Sequence, residues 1–201
     1  MNNIDQIFSR DPIKFAEDYL RYLNNVLQGI DLNEIGQFIN ILLNARSSGA
    51  QIFFMGNGGS AATASHFAND LSIGTDSYEK PFKAISIVDN HAIVTAIAND
   101  FGYSEIFSRQ LRVLASAGDV VVAISASGNS PNLINAIEYA NSKGMETVAI
   151  TAFDGGALRK LCNHGVHVPT GLKEYGPAED AHMILDHLIG AYLLRLLKSH
   201  D

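Results

Sequence analysis

The 201-residue chain carries 14 Lys and Arg against 21 Asp and Glu, a net charge of −7, and is 47% hydrophobic and 17% charged. That length fits one domain around a single core, and an acidic balance without a basic cluster excludes the lysine- and arginine-rich footprint that holds a nucleic-acid backbone. A lone cysteine, Cys162, excludes an intramolecular disulfide framework, and with no apolar signal core or membrane-length run the expectation is a soluble, cytoplasmic protein that engages no membrane.

The first predicted element is a helix over 12–28, where Phe15, Tyr19, Tyr22, Leu23 and Val26 recur at helical spacing and Pro12 follows Asp11 as a first-turn proline behind an N-cap. A second helix over 31–47 carries Ile35, Phe38, Ile39 and Leu42. Together they form an N-terminal helical hairpin, residues 1–48, ahead of an α/β core over 49–201. From residue 51 strands alternate with helices. Strands are expected at 51–55, 83–88, 119–124, 146–150 and 164–169, and helices near 60–72, 91–98, 104–117, 130–143 and 155–162. A long C-terminal helix follows over 177–198. Short β-branched runs without polar alternation point to strands buried on both faces, hence a parallel sheet between helical layers in one domain.

Ligands of such sheets bind beyond the carboxyl ends of the strands, which selects four loops: GNGGS, DNHA, SASGNS and TAFDGG. The third is the most informative. Ser125, Ser127 and Ser130 place three hydroxyls within six residues, Gly128 relieves the backbone, and Pro131 opens a helix whose unpaired N–H groups attract an anion without a cation. In GNGGS, Asn57 and Ser60 are placed for a sugar hydroxyl or a phosphate oxygen. With no P-loop lysine and no GxGxxG with its ribose-binding acid, the expected ligand is a small phosphorylated metabolite rather than a nucleotide. His66 and Asp70 stand four apart and share a helix face, a plausible half of a zinc site. The last helix adds Glu179, His182, Asp186 and His187 to an otherwise apolar run. His91 reads as a helix-start residue, His164 and His167 as residues of an edge strand, and Cys162 as a buried small apolar residue.

The segments GNGGSAATASHFANDL, AIANDFGYSEIFSRQL, GDVVVAISASGNSPN, AITAFDGG and EDAHMILDHLI, in order from about residue 35 to 195, resemble the sugar-isomerase (SIS) domain family and, more narrowly, the bacterial phosphoheptose isomerases. The resemblance implies a flavodoxin-like SIS fold with a five-stranded parallel sheet, and a homotetramer with active sites built between subunits. It implies interconversion of sedoheptulose 7-phosphate and D-glycero-D-manno-heptose 7-phosphate through an enediol, for lipopolysaccharide or capsule heptose. Carried over by position, substrate contacts fall on Asn57, Gly58, Gly59, Ser60, Asp70, Asn99, Asp100, Ser125, Ala126, Ser127, Ser130 and Glu179. One Zn²⁺ per subunit falls to His66, Asp70, Glu179 and His187, and catalysis to Asp70, Glu179 and His187. Two of the site positions depart from the family: Asp70 stands where it has glutamate, and Glu179 where it usually has glutamine. Either carboxylate can be the base. Gly176 and Pro177 replace an Asp-Arg pair, so an isomerase of another sugar phosphate is an alternative. A second is a non-catalytic SIS-domain assembly factor that binds the bacterial replication initiator, a group without the metal and acid set present here.

Overall fold

The computed structural model describes residues 2–199. Its five strands are β1 (Gln51–Gly56), β2 (Lys83–Ser86), β3 (Val120–Ser125), β4 (Glu146–Thr151) and β5 (His164–His167), all parallel in the order β2-β1-β3-β4-β5. The helices are α1 (Asn3–Ile7), α2 (Pro12–Gln28), α3 (Leu32–Ser48), α4 (Gly59–Ser72), α5 (His91–Phe101), α6 (Ser108–Leu114), α7 (Pro131–Ser142), α8 (Leu158–Leu161) and α9 (Tyr175–Lys198). The α/β fold with a five-stranded parallel sheet is the one the sequence predicts.

Side chains alternate along each strand and so feed two cores. Ile52, Phe54, Val120, Val122, Ile124, Val148 and Ile150 meet residues of α2, α3, α4 and α9, among them Phe38, Phe67 and Leu185. Phe53, Met55, Val121, Ala123 and Ala149 meet the opposite layer through Leu111, Leu133, Ile137 and Leu158. Phe67 of α4 stacks on Phe54 at 4.9 Å between ring centroids, which pins α4 over β1. Each of the larger of these side chains, fully buried, contributes about 1.5–3 kcal/mol.

Local chemistry sets the helix starts. Asp11 caps α2 by accepting from the Ile13 amide at 3.0 Å, with Pro12 as first helical residue, and Asp31 caps α3 through the Asn33 amide at 2.8 Å. Several boundaries differ from expectation. β2 and β5 are four residues long, not six, although the Ile87 and Val168 amides still bond across to Phe54 and Thr151 at 3.0 and 2.8 Å. The helix expected over 104–117 breaks into a 3₁₀ turn, Tyr103–Glu105, and α6. It stops because the Asp119 carboxylate gathers the Ser116 and Gln51 amides, both at 2.8 Å, into a turn entering β3. The helix over 155–162 shrinks to α8, since Gly155 and Gly156 both take positive φ. The short α1 was not expected; Asn2 caps it through the Asp5 amide at 2.8 Å.

Two features position the site. Helices α4 and α9 lie side by side in the same direction: a Cβ on Gly59 would strike the Glu179 carboxylate, His66 meets His187, and Gly190 lies against Asp70. The N-terminal helices are tied to the start of α9, where the buried Glu174 accepts from the Asn3 amide at 2.6 Å, the Gly171 amide at 2.9 Å and the Tyr22 hydroxyl. Tyr19 donates to Asp180 at 2.5 Å. Among the described residues, no helix is long and apolar enough to cross a membrane.

Candidate active site

The strand order reverses between β1 and β3, so the loops leaving their carboxyl ends diverge and open a crevice. GNGGS leaves β1 and SASGNS leaves β3. Two asparagines bridge them: the Asn57 amide donates to Asn132 Oδ1 at 3.0 Å, and Asn132 donates back to Asn57 Oδ1 at 2.9 Å. Tyr103 adds its hydroxyl to Asn57 Oδ1 at 2.8 Å. Asn132 and Tyr103 are residues that sequence reasoning missed: both stand inside the quoted segments, but only the fold brings them to Asn57.

The serine loop is built to leave hydroxyls free. The buried Ser125 Oγ accepts from the Gly128 amide at 3.1 Å, which folds the loop back on itself. Ser130 is the N-cap of α7, yet its side chain makes no capping bond. Its hydroxyl therefore remains available at the positive end of a 12-residue helix, and that of Ser127, which accepts from the Asn129 amide at 3.4 Å, keeps its hydrogen to donate. Gly128 adopts φ 63°, and a Cβ there would collide with the Gly155 carbonyl. That close approach lets TAFDGG support the loop: the Ala157 amide donates to Asn129 Oδ1 and the Leu158 amide to the Gly128 carbonyl, each at 3.0 Å. Ala126 is buried and its carbonyl takes the Ala152 amide at 3.0 Å. Ser60 is buried against Gly56. Asn99 and Asp100 are exposed in the last turn of α5, joined by a 2.8 Å hydrogen bond, just ahead of Tyr103.

A second group lies along α4 and α9. His66, Asp70, Asp186 and His187 each offer a ligand atom, all within 4.8 Å of one another. His66 Nε2 is 3.2 Å from His187 Nε2, 3.5 Å from Asp70 Oδ2 and 4.0 Å from Asp186 Oδ2. Three of the four predicted metal residues are thus brought together; Glu179 is not in the group and stands beside Gly59. Asp186 is 0% exposed and neither of its oxygens has a hydrogen-bond partner. Burial, with the Asp70 charge adding to it, pushes its carboxyl up to about 7. An orphaned buried carboxylate beside two imidazoles and a second carboxylate fits a divalent cation.

The remaining histidines among the described residues, and the cysteine, read as structural. His182, fully buried on α9, is pushed down to about 4 by desolvation. His91 opens α5. On the edge strand His164 pairs with Glu146 at 2.9 Å, and His167 Nδ1 lies 3.1 Å from the Thr151 hydroxyl. Burial pushes the Cys162 thiol up to about 12, which keeps it from acting as a nucleophile.

Known proteins share this architecture. The SIS domain family model matches residues 15–152. The phosphoheptose isomerase of Citrifermentans bemidjiense is 38% identical over 164 residues, 81% of this chain and 84% of that protein. The solved phosphoheptose isomerase of Neisseria gonorrhoeae superposes with a TM-score of 0.79 at 29% identity, over 89% of this chain and 95% of that one. The Francisella tularensis enzyme superposes with a TM-score of 0.81 at 24% identity, over 92% and 98%. A flavodoxin-like sheet order, a hydroxyl-rich helix start at the strand reversal and relatives spanning most of the chain lead to one assignment: the chain belongs to the SIS domain family, among its phosphoheptose isomerases.

Proposed function

We propose that the chain interconverts sedoheptulose 7-phosphate and D-glycero-D-manno-heptose 7-phosphate through an enediol. The observation that carries the reading is the serine loop, where an N-cap serine that caps nothing leaves its hydroxyl at a helix start beside the Asn57–Asn132 bridge. Amides and hydroxyls there bind the phosphate of a single sugar without a cation. That remote binding energy positions the reacting carbons. Asn57, Gly58 and Gly59, with Asn99 and Asp100, supply sugar contacts.

The chemistry transfers one proton between adjacent carbons. A carboxylate, Asp70 or Glu179, takes a proton from C1; the C–H electron pair forms the C1–C2 double bond and the carbonyl oxygen becomes an enediol oxygen. Returning the proton to C2, while O2 takes a hydrogen from solvent and O1 gives one up, yields the aldose with no net change of atoms. His187, whose Nε2 faces His66, has Nδ1 left for proton exchange at the oxygen. His66, Asp70 and His187 would hold a Zn²⁺ ion, which when bound supplies Lewis-acid polarisation of the carbonyl.

An exposed stripe on α9, Ile184, Leu188 and Tyr192, flanks His187 and supports a homotetramer with active sites shared between subunits. A cytoplasmic role in making heptose for lipopolysaccharide or capsule completes the proposal. The test follows sedoheptulose 7-phosphate by NMR, with zinc added and after chelation. Conversion that needs zinc and disappears in His187→Ala is the expected result. Full turnover by that variant overturns the catalytic assignment. No conversion by the wild type overturns the substrate.

A further inference from the structure

Resting on the reading of the His/Asp group as the metal centre of this isomerase, one question is which residue closes it. Glu179 stands seven residues before Asp186 on α9, about 10 Å along a helix axis. Because α4 runs beside α9 in the same direction, Glu179 faces Gly59 at the start of α4 while His66 and Asp70 face the turn that carries His187 and Gly190. Asp186 is instead already there. It is 0% exposed, its two oxygens meet no donor, and Oδ2 points at His66 Nε2 from 4.0 Å.

The spacing matches the geometry of an ion. Zinc–ligand bonds of about 2.0–2.1 Å at tetrahedral angles set neighbouring ligand atoms roughly 3.4 Å apart. Around His66 Nε2 the observed separations are 3.2, 3.5 and 4.0 Å. Two carboxylates and two neutral imidazoles balance a divalent charge, which suits a group whose innermost member has no contact with solvent.

We propose that Asp186 is a metal ligand, and that His66, Asp70, Asp186 and His187 of one chain close a four-ligand site for a divalent transition-metal ion of the zinc type, with Glu179 outside it. Four protein ligands from two neighbouring helices need no residue from a second subunit to bind the ion. Glu179 is then free to act at the GNGGS loop.

The test uses the full-length protein stripped by chelator and titrated with Zn²⁺ against a chromophoric competitor. Asp186→Asn is expected to weaken zinc binding by 100-fold or more and Glu179→Gln by less than threefold. A loss in Glu179→Gln with Asp186→Asn unaffected overturns the proposal, as does a wild type that binds no zinc. Should Asp186→Asn fail to fold, Asp186→Cys loaded with Co²⁺ decides: a thiolate-to-cobalt charge-transfer band is expected, and its absence overturns the assignment. Activity is read separately. Zinc held through Asp186 in a protein that isomerises no sugar phosphate refutes the functional reading alone; metal-independent turnover without zinc binding refutes this proposal alone.

Discussion

His182 offers a direct measure of how dry the α9 layer is. Its ring is 0% exposed, and burial lowers its pKa from 6.5 to about 4, opposed by the nearby Thr151 carbonyl and reinforced by His167. The sign follows from linkage. Between those two values the unfolded chain binds a proton that the fold refuses, so stability is full above pH 6.5 and falls as pH drops, the loss being complete below about 4. A displacement of 2.5 pH units at 1.36 kcal/mol per unit gives roughly 3.4 kcal/mol in all, and about 2 kcal/mol at pH 5. The perturbation is His182→Leu, close in volume and without a titrating group. Urea unfolding from pH 4 to 8, with chelator present throughout, should show the variant gaining on the wild type by about 3 kcal/mol as pH falls. Other titrating groups are common to both proteins and cancel in the difference. Parallel curves for the two proteins would refute the argument and place His182 in contact with water.

Asp186 carries the opposite sign. Its carboxyl, raised from 3.8 to about 7, makes the metal-free protein less stable as pH rises through that interval, by about 4 kcal/mol at neutrality. Asp186→Asn should abolish that decline in calorimetry under chelator, and a wild type whose metal-free stability is flat from pH 4 to 7 contradicts it. Gly128→Ala combines a left-handed backbone with a collision against Gly155. A loss of roughly 2–4 kcal/mol and a raised KM for the sugar phosphate are expected, and an unchanged melting temperature and KM would count against the buttressed loop. Gly59→Ala pushes only the far end of the Glu179 side chain, so stability should hold while kcat falls about tenfold or more. In a double-mutant cycle with Glu179→Gln the two effects should overlap, and strict additivity would show that Glu179 and Gly59 are uncoupled.

The sheet was legible because its strands are written as short apolar runs, and period-two alternation then feeds both cores without further information. The loop after β3 was legible because three serines within six residues offer more hydroxyls than a turn or a cap needs. The His/Asp group was legible by halves. His66 and Asp70 declare themselves by a spacing of four on one helix. Their partners depend on which turn of α9 crosses which turn of α4, a matter of packing between elements distant in sequence. Spacing within α9 cannot distinguish Glu179 from Asp186, and the family pattern favours the former. Asn132 and Tyr103 were hidden likewise, each meaningful only against Asn57 across the crevice.

The ties between the N-terminal helices and α9 bear on how the molecule is made. Tyr19 and Tyr22 grip residues 161 and 152 positions further along the chain, and the Asn3 amide reaches across 171. Contacts of that span close slowly, because the loop entropy is spent before the contact returns anything. On the ribosome the first helices emerge long before their partner and wait with one side uncovered. Phe8, Ile13 and Leu20 remain exposed even after closure. Helix α9, which emerges after the whole sheet, thus acts as a latch, bringing the His/Asp group together and securing the arm in one motion, and the nascent chain before that moment is the state most open to chaperones and to misassembly.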